Sequence, residues 1–483
     1  MKRELARVSA TIFAMFMTLF ISATLLQVVS ADTLTNDPRN VRAVYDGYRT
    51  QRGAILVDGQ PIAQSVPSDD EFVYLRKYKS RMYSSITGFY SIFQGATGLE
   101  SASNDYLTGK NSSQFFERVN ALFSGNPVIG GSVELTIDPY VQKVAWNAMG
   151  NLHGAVVAID PTTGNILAMV SKPGFDANLL SVHTGVDARE NYASLLSASG
   201  DPLINKAISG GLYAPGSVFK LVVSAAAIES GKYTLDTKIP NPAKYKLPGT
   251  DTYIQNSGEG RCGGGTTVTL ATALKLSCNV PFAQVGIDIG QDAIRAQAEK
   301  FGFGKTIKIP LTATASVYPD GMDDAQTGLS AFGQFDVRVT PLQMAMVSAA
   351  IANKGKLMRP NLVESVLSSN LAILAQPSPS QFGQPISEAT AATLTKMMVA
   401  AVDSGVSSNG KIPGISVAGK TGTAQNGEGE PYTLWFTGFA PADNPRVAVA
   451  VVIADGGGMG QNGRGNTLAA PIARKVMEAV LRR

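Results

Sequence analysis

Ser217 and Lys220 stand three residues apart at the head of an apolar run, VFKLVVSAAAI (218–228). A serine hydroxyl is a weak nucleophile until a base takes its proton, and in most hydrolases that base is histidine. This chain has two histidines: His153 directly before a strand-like run and His183 in a polar loop, both read as ordinary strand-end or surface positions. An activated serine here must therefore use lysine. Residues three apart on a helix share a face, so a helix starting near Ser217 brings the Lys220 amine within reach of the Ser217 hydroxyl. The amine accepts a proton only when neutral, which requires burial or a second cation to lower its pKa well below about 10.4. A run that is apolar nearly all round marks a buried helix and supplies that burial. The free amides at the helix start favour negative charge developing on oxygen.

Ser-x-x-Lys alone says little, since Ser408 and Lys411 repeat it in a glycine-bearing polar loop that suits a solvated lysine. Two further motifs follow Ser217 in order: Ser277-Cys278-Asn279, and Lys420-Thr421-Gly422 with Thr423 after it. Ser-x-Asn recurs at Ser368 and Ser407, whereas Lys-Thr-Gly occurs once and lies in a strand-like run. Taken singly, Lys420 is an edge-protecting lysine, the threonines are β-formers, and Ser277 with Asn279 is a turn. The ordered set points to acyl-serine chemistry.

These residues need a scaffold. Ala155–Ile159 and Ile166–Val170 form a hairpin around Pro-Thr-Thr-Gly, and three more strands are expected within GISVAGKTGTAQ, YTLWFTGFAP and RVAVAVVIAD, before a C-terminal helix over 468–481. Two strands early and three late, with helices between, predict an α+β fold with one antiparallel sheet completed by the two ends of the chain. SSNLAILAQPSPSQFGQP, from Ser368, reads as a Pro- and Ser-rich connector, and GGGMGQNGRGN, from Gly456, as a flexible loop near the Lys420 strand. No internal repeat is visible.

The three motifs place the chain in resemblance to the penicillin-binding and serine β-lactamase superfamily. GAVVAIDPTTGNILAMVSKPGFD, YAPGSVFK, AFGQFDVRVTPLQMA and VAGKTGTAQ look like penicillin-binding transpeptidase sequence from about Ser132 onward, while DPRNVR, RGAIL and GATGLE look like the N-terminal module of the monofunctional, class B group. Many relatives carry aspartate where Cys278 stands, so any role of that middle residue is open. The resemblance implies a five-stranded antiparallel sheet flanked by helices, an all-helical subdomain, and a smaller α+β N-terminal module. It implies Ser217 as nucleophile with Lys220 as base, Ser277 as proton relay and Asn279 as orienting group. Lys420 supplies positive field, Thr421, Gly422 and Thr423 line the substrate strand, and the amides of Ser217 and Thr423 form the oxyanion hole. The implied substrate is the D-Ala-D-Ala end of a peptidoglycan stem peptide, with β-lactams as covalent inhibitors, no cofactor, and other cell-wall proteins as partners. A D,D-carboxypeptidase, a β-lactamase and a wall-synthesis scaffold remain as alternatives. About one hundred residues before the transpeptidase region are too few for a second catalytic domain of ordinary size.

Composition and topology agree with a surface enzyme. The 483 residues are 44% hydrophobic and 16% charged, with 41 basic against 37 acidic residues and no basic, aromatic-laced run, so nucleic acid is not an expected partner. Lys2, Arg3 and Arg7 precede an uncharged stretch, Val8–Ala31, longer than the about 20 residues a span needs. The positive flank keeps the N-terminus cytoplasmic. A cleaved signal peptide ending at Val29-Ser30-Ala31 is the competing reading, though its apolar core exceeds the usual ~7–15 residues. The expected organisation is 1–31 tail and anchor, 32–131 non-catalytic module, and 132–483 catalytic domain at the outer face of the cell membrane. Cys262 and Cys278, the two cysteines, lie outside the membrane on this topology and can pair, the alternative being two free thiols. No cysteine or histidine cluster suggests a metal.

Overall fold

Helix α1 (Lys2–Thr24) runs on through a π-helical turn, Leu25–Val29, as one apolar rod. Its 27 residues from Arg3 to Val29 are unburied, and at 1.5 Å per residue they reach about 40 Å, enough to cross a bilayer core. The hydroxyls of Thr11, Thr18 and Thr24 donate to carbonyls four residues earlier at 3.0, 2.9 and 2.8 Å, which satisfies these three donors within the helix itself. The computed structural model describes residues 2–30, 48, 50–125 and 127–482. Ala31, Asp32 and the segment DPRNVR lie outside the described residues.

Strands β1 (Ile55–Val57), β2 (Gln60–Pro67) and β3 (Tyr74–Tyr78), helix α2 (Phe115–Ser124) and strand β4 (Ser132–Leu135) come next. Helix α3 (Pro139–Met149) leads into β5 (Gly154–Ile159) and β6 (Ile166–Lys172). The middle contains α4 (Lys220–Glu229), α5 (Asn279–Ile289) and α6 (Pro341–Ala352), then β7 (Val363–Leu367), β8 (Ile373–Ala375) and α7 (Glu388–Ser404). Strands β9 (Ala418–Ala424), β10 (Thr433–Ala440), β11 (Val447–Ile453) and helix α8 (Ala469–Leu481) close the chain.

The catalytic sheet has the order β9-β10-β11-β5-β6, antiparallel throughout, as the two-early, three-late pattern predicts. Every residue of β5, β10 and β11 is buried, because helices cover both faces. α6, buried at all twelve positions, packs on one face, and Ser348 bonds Thr437 of β10 at 2.7 Å. On the other face lie α3 and α8, which present Ile472, Ala473, Val476, Met477 and Val480 inward. The helical middle also carries short two-stranded ribbons, including Lys244–Lys246 with Tyr253–Gln255.

A second sheet, β8-β7-β4-β1-β2-β3, joins early and late chain. β1 pairs parallel with β4 through Ile55 and Val133, and Val366 of β7 pairs antiparallel with the same Val133. The segment read as a connector from Ser368 therefore contains β8, at the sheet edge. Its Pro and Ser content masks a short Ile-Leu-Ala strand whose pairing partner lies just upstream. Beneath this sheet, Glu100 of GATGLE is fully buried between Arg52 of RGAIL, at 2.6 Å, and Arg76, at 2.7 Å. The two guanidiniums hold its carboxyl below the usual range against the opposing effect of burial. His183 is also less solitary than its loop suggests, for its Nδ1 contacts the Asp70 carboxylate and its ring lies 4.9 Å from that of Phe72.

Candidate active site

Two hydrogen bonds from distant parts of the chain hold the turn that carries Ser217. Residues Gly216–Phe219 form a 3-10 turn that runs straight into α4 at Lys220. With three to four residues per turn, Ser217 and Lys220 share one side of this helix start. Trp435 of β10 donates from Nε1 to the Ala214 carbonyl at 2.9 Å, and Gly216 N donates to Gly333 O at 2.9 Å. Gly216 and Gly333 have φ of 53° and 77°. A β-carbon on Gly333 would lie 2.0 Å from Gly216 O, so this close approach of two backbones requires glycine.

Ser277 sits at φ 60°, a left-handed conformation rare outside glycine. It turns the chain from the helix Leu270–Lys275 into α5. The strained residue is one of the three motif positions, in keeping with strain concentrating at functional sites. Asn279 is the first residue of α5. The side chain of the N-cap residue, Cys278, gives no cap because its sulfur is bonded to Cys262. The cap comes instead from Asn256, buried and distant in sequence, whose Oδ1 accepts from the amides of Asn279 and Val280 at 2.9 and 3.1 Å.

Two fully buried amines meet at this serine. Lys220 Nζ donates to Ser277 O and Asn279 Oδ1, both at 2.8 Å, and lies 3.4 Å from Ser277 Oγ. Lys420 Nζ donates to Ser277 Oγ and Thr421 O, each at 2.8 Å. All of these acceptors are neutral oxygens, so nothing in the set repays the burial of two charges. Burial pushes Lys420 down to about 7. Burial first, then the charge of Lys420, holds Lys220 well below the ordinary amine value. The expected Ser217–Lys220 pairing is thus modified: the donors of Lys220 point to the second motif, and Ser217 opens onto a cleft of about 980 Å³.

The same cleft is lined by Ser277, Asn279, Thr421, Gly422 and Thr423, so the three motifs converge on one space. Thr423 Oγ1 accepts from Gly465 N at 3.4 Å. The Thr421 hydroxyl is engaged with Val406 O and Ser407 Oγ, both at 3.2 Å. The glycine-rich loop from Gly456 does reach the Lys420 strand, where a β-carbon on Gly465 would lie 2.4 Å from the carbonyls of Gly422 and Trp435. Ser408 and Lys411, the repeated spelling, lie outside the cleft lining, and Lys411 is exposed near Asp403. Asn256, Ser407 and Gly333 also shape the site, yet Ser407 stands in the sequence only as one more Ser-x-Asn and no spacing signal marks the other two.

Fold and site together define an acyl-serine enzyme of the penicillin-binding class, and the sequence matches the penicillin binding protein transpeptidase domain over residues 154–478; the chain belongs to that family. Residues 52–133 match the penicillin binding protein A dimerisation domain. The chain is 41% identical to the peptidoglycan D,D-transpeptidase PbpA of Mycolicibacterium smegmatis, covering 100% of this chain and 99% of that protein. It is 40% identical to PbpA of Mycobacterium tuberculosis, with the same coverage. The structure superposes on penicillin-binding protein A from M. tuberculosis in its ceftriaxone acyl-enzyme complex with a TM-score of 0.87 and 39% identity, covering 90% of this chain and 100% of that one. The penicillin G acyl-enzyme complex of the same protein gives a TM-score of 0.84 at 39% identity, over 89% of this chain and 100% of that one.

Proposed function

We propose that this chain is a membrane-anchored, serine-type D,D-transpeptidase that crosslinks peptidoglycan stem peptides and is acylated by β-lactams. The observation that carries the reading is the pair of buried lysines on Ser277 beside Ser217. In this reading neutral Lys220 takes the proton of Ser217, whose Oγ attacks the carbonyl of the penultimate D-alanine. Ser277 passes a proton to the departing D-alanine, and Asn279 orients Lys220 and the substrate amide. Charged Lys420, with Thr421 and Thr423, meets the terminal carboxylate. The amides of Ser217 and Thr423 stabilise the oxyanion, a contribution of about 3 kcal/mol per donor. The amine of a second stem peptide then takes the acyl group and frees Ser217.

The relatives named as peptidoglycan D,D-transpeptidases and the acyl-enzyme complexes of a 39%-identical protein support this assignment over a β-lactamase or carboxypeptidase, which would clear the acyl group with water. Residues 1–31 serve as tail and anchor with the N-terminus cytoplasmic, 32–131 as a non-catalytic module that can bind other wall-synthesis proteins, and 132–483 as the catalytic domain at the outer face. The test is intact mass after brief exposure to penicillin. A long-lived adduct on the wild-type chain, absent from Ser217→Ala, is expected; rapid turnover of the drug would make the protein a β-lactamase, and no adduct at all would leave only a scaffold. N-terminal sequencing of the native protein checks the anchor, which a mature chain starting at Asp32 would overturn.

A further inference from the structure

Outside α1, the most exposed large apolar side chains among the described residues are Phe123 and Phe116, at 86% and 77%, both on α2. They are seven residues apart and share a helix face. Phe115, half exposed, meets Phe116 edge-on with ring centroids 5.6 Å apart. The Arg118 guanidinium lies 6.0 Å from the Phe115 ring centre and donates to the backbone carbonyl of Lys110. Leu371 and Ile373, at the β7–β8 turn, are exposed as well. Gly131 ties the two places together. A β-carbon there would lie 2.6 Å from Leu367 O, at the end of β7, and 2.7 Å from the side chain of Gln114, just before α2. Five apolar side chains are thus gathered at one end of the six-stranded sheet, turned away from its core.

That end is where the module is tethered. Gln51, among the first described residues after the anchor, bridges Ile129, just beyond α2, and its carbonyl accepts from Gly130 N at 2.9 Å. Twenty-one residues, 30–50, separate Gln51 from the end of the apolar rod, so the bilayer lies within roughly 70 Å of chain. We propose that α2 and the β7–β8 turn rest on the outer surface of the membrane that α1 crosses, with the phenylalanines in the headgroup boundary and Lys110 and Arg118 toward lipid phosphates. The proposal rests on the anchor reading above. A second copy of the chain is the competing occupant, since α2 lies within the stretch that matches a dimerisation domain, but three rings and two aliphatic side chains are few against the about 20–30 residues a side of a stable interface. Docked this way, the module sets the height and tilt of the catalytic cleft above the lipid.

The full chain carrying Phe123→Trp, reconstituted in vesicles of phosphatidylglycerol and phosphatidylethanolamine, tests this. The existing tryptophans are the buried Trp435 and Trp146, whose ring stacks on Lys172, so the unsubstituted chain supplies the baseline. Brominated acyl chains are expected to quench about half or more of the added emission, as for a ring seated at the headgroup boundary, and acrylamide to quench little. Quenching by acrylamide with none by bromolipid would place the face in water and overturn the proposal. Emission shielded from both quenchers and dependent on protein density would assign the face to a second copy and overturn it too. If Phe123→Trp fails to bind penicillin, Phe116→Trp reports on the same face. Release of the wild-type chain from membranes by alkaline carbonate would sink the anchor reading, a failure separate from that of an anchored chain whose added indole is unquenched.

Discussion

Lys420 donates to the hydroxyl of Ser277 at 2.8 Å while Lys220 reaches the carbonyl of that same serine at 2.8 Å, so one strained residue separates two buried amines. Only one of them can comfortably hold a proton. The charge of Lys420 lowers the pKa of Lys220, and on the roles proposed above acylation needs Lys220 neutral and Lys420 charged. The rate of acylation by penicillin should fall in acid as Lys220 gains its proton, and fall again as pH rises through the Lys420 value of about 7. Lys420→Gln removes the repulsion, raises the Lys220 pKa and moves the acid limb to higher pH. An acid limb left in place by that variant would show that the amines are not coupled.

Burying the two lysines opposes folding below their unfolded pKa. Because the folded-state value of Lys220 is depressed, the unfolded chain binds more protons between that value and about 10.4, and stability rises with pH across the window. Lys220→Met should therefore raise the melting temperature at pH 7 while abolishing acylation, and its advantage should shrink as pH approaches 10. A lower melting temperature at pH 7 would mean that the hydrogen bonds to Ser277 and Asn279 outweigh the desolvation.

Gly333→Ala should be far more damaging than its single methyl suggests. The added carbon would lie 2.0 Å from the carbonyl of Gly216 at a φ of 77°, and either the strain or the displaced Ser217 turn must absorb it. A loss of about 2–4 kcal/mol in urea unfolding is expected, with penicillin labelling reduced more than the folded fraction. Labelling that tracks the folded fraction alone would show that Ser217 keeps its place.

The bond between Cys262 and Cys278 closes a loop of sequence separation 16, with Cα atoms 5.8 Å apart, for which chain entropy gives about 3 kcal/mol. Since Cys278 lies between Ser277 and Asn279, its loss should also loosen the site. Replacing both cysteines by alanine should lower stability by about that amount and slow acylation roughly tenfold. A full acylation rate in the destabilised variant would confine the bond to a stability role.

Of the five strands in the antiparallel sheet, four were legible as apolar runs, as in the wholly buried VAVAVVI of β11, and β9, AGKTGTA, through the motif it carries. Ser217, Lys220, Ser277, Asn279 and Lys420 were legible because two of the motifs have fixed local spacing and the third occurs once. Asn256 and Gly333 were not, since the first caps a helix starting 23 residues later and the second matters only where two backbones touch. The pairing of β7 with β4 escaped for the same reason, as neither strand's sequence records its distant partner. His183, read as an ordinary loop residue, owes its place to Asp70, 113 positions away.

Strand β4 finds one neighbour, β1, earlier in the chain and the other, β7, only at residues 363–367. A chain synthesised from its N-terminus therefore holds an unfinished sheet edge while most of the catalytic region is still being made. Domains usually fold as they emerge, but here the first module cannot close before the enzyme is three-quarters synthesised. Until β7 arrives, the backbone groups of β4 that face it have no strand to pair with.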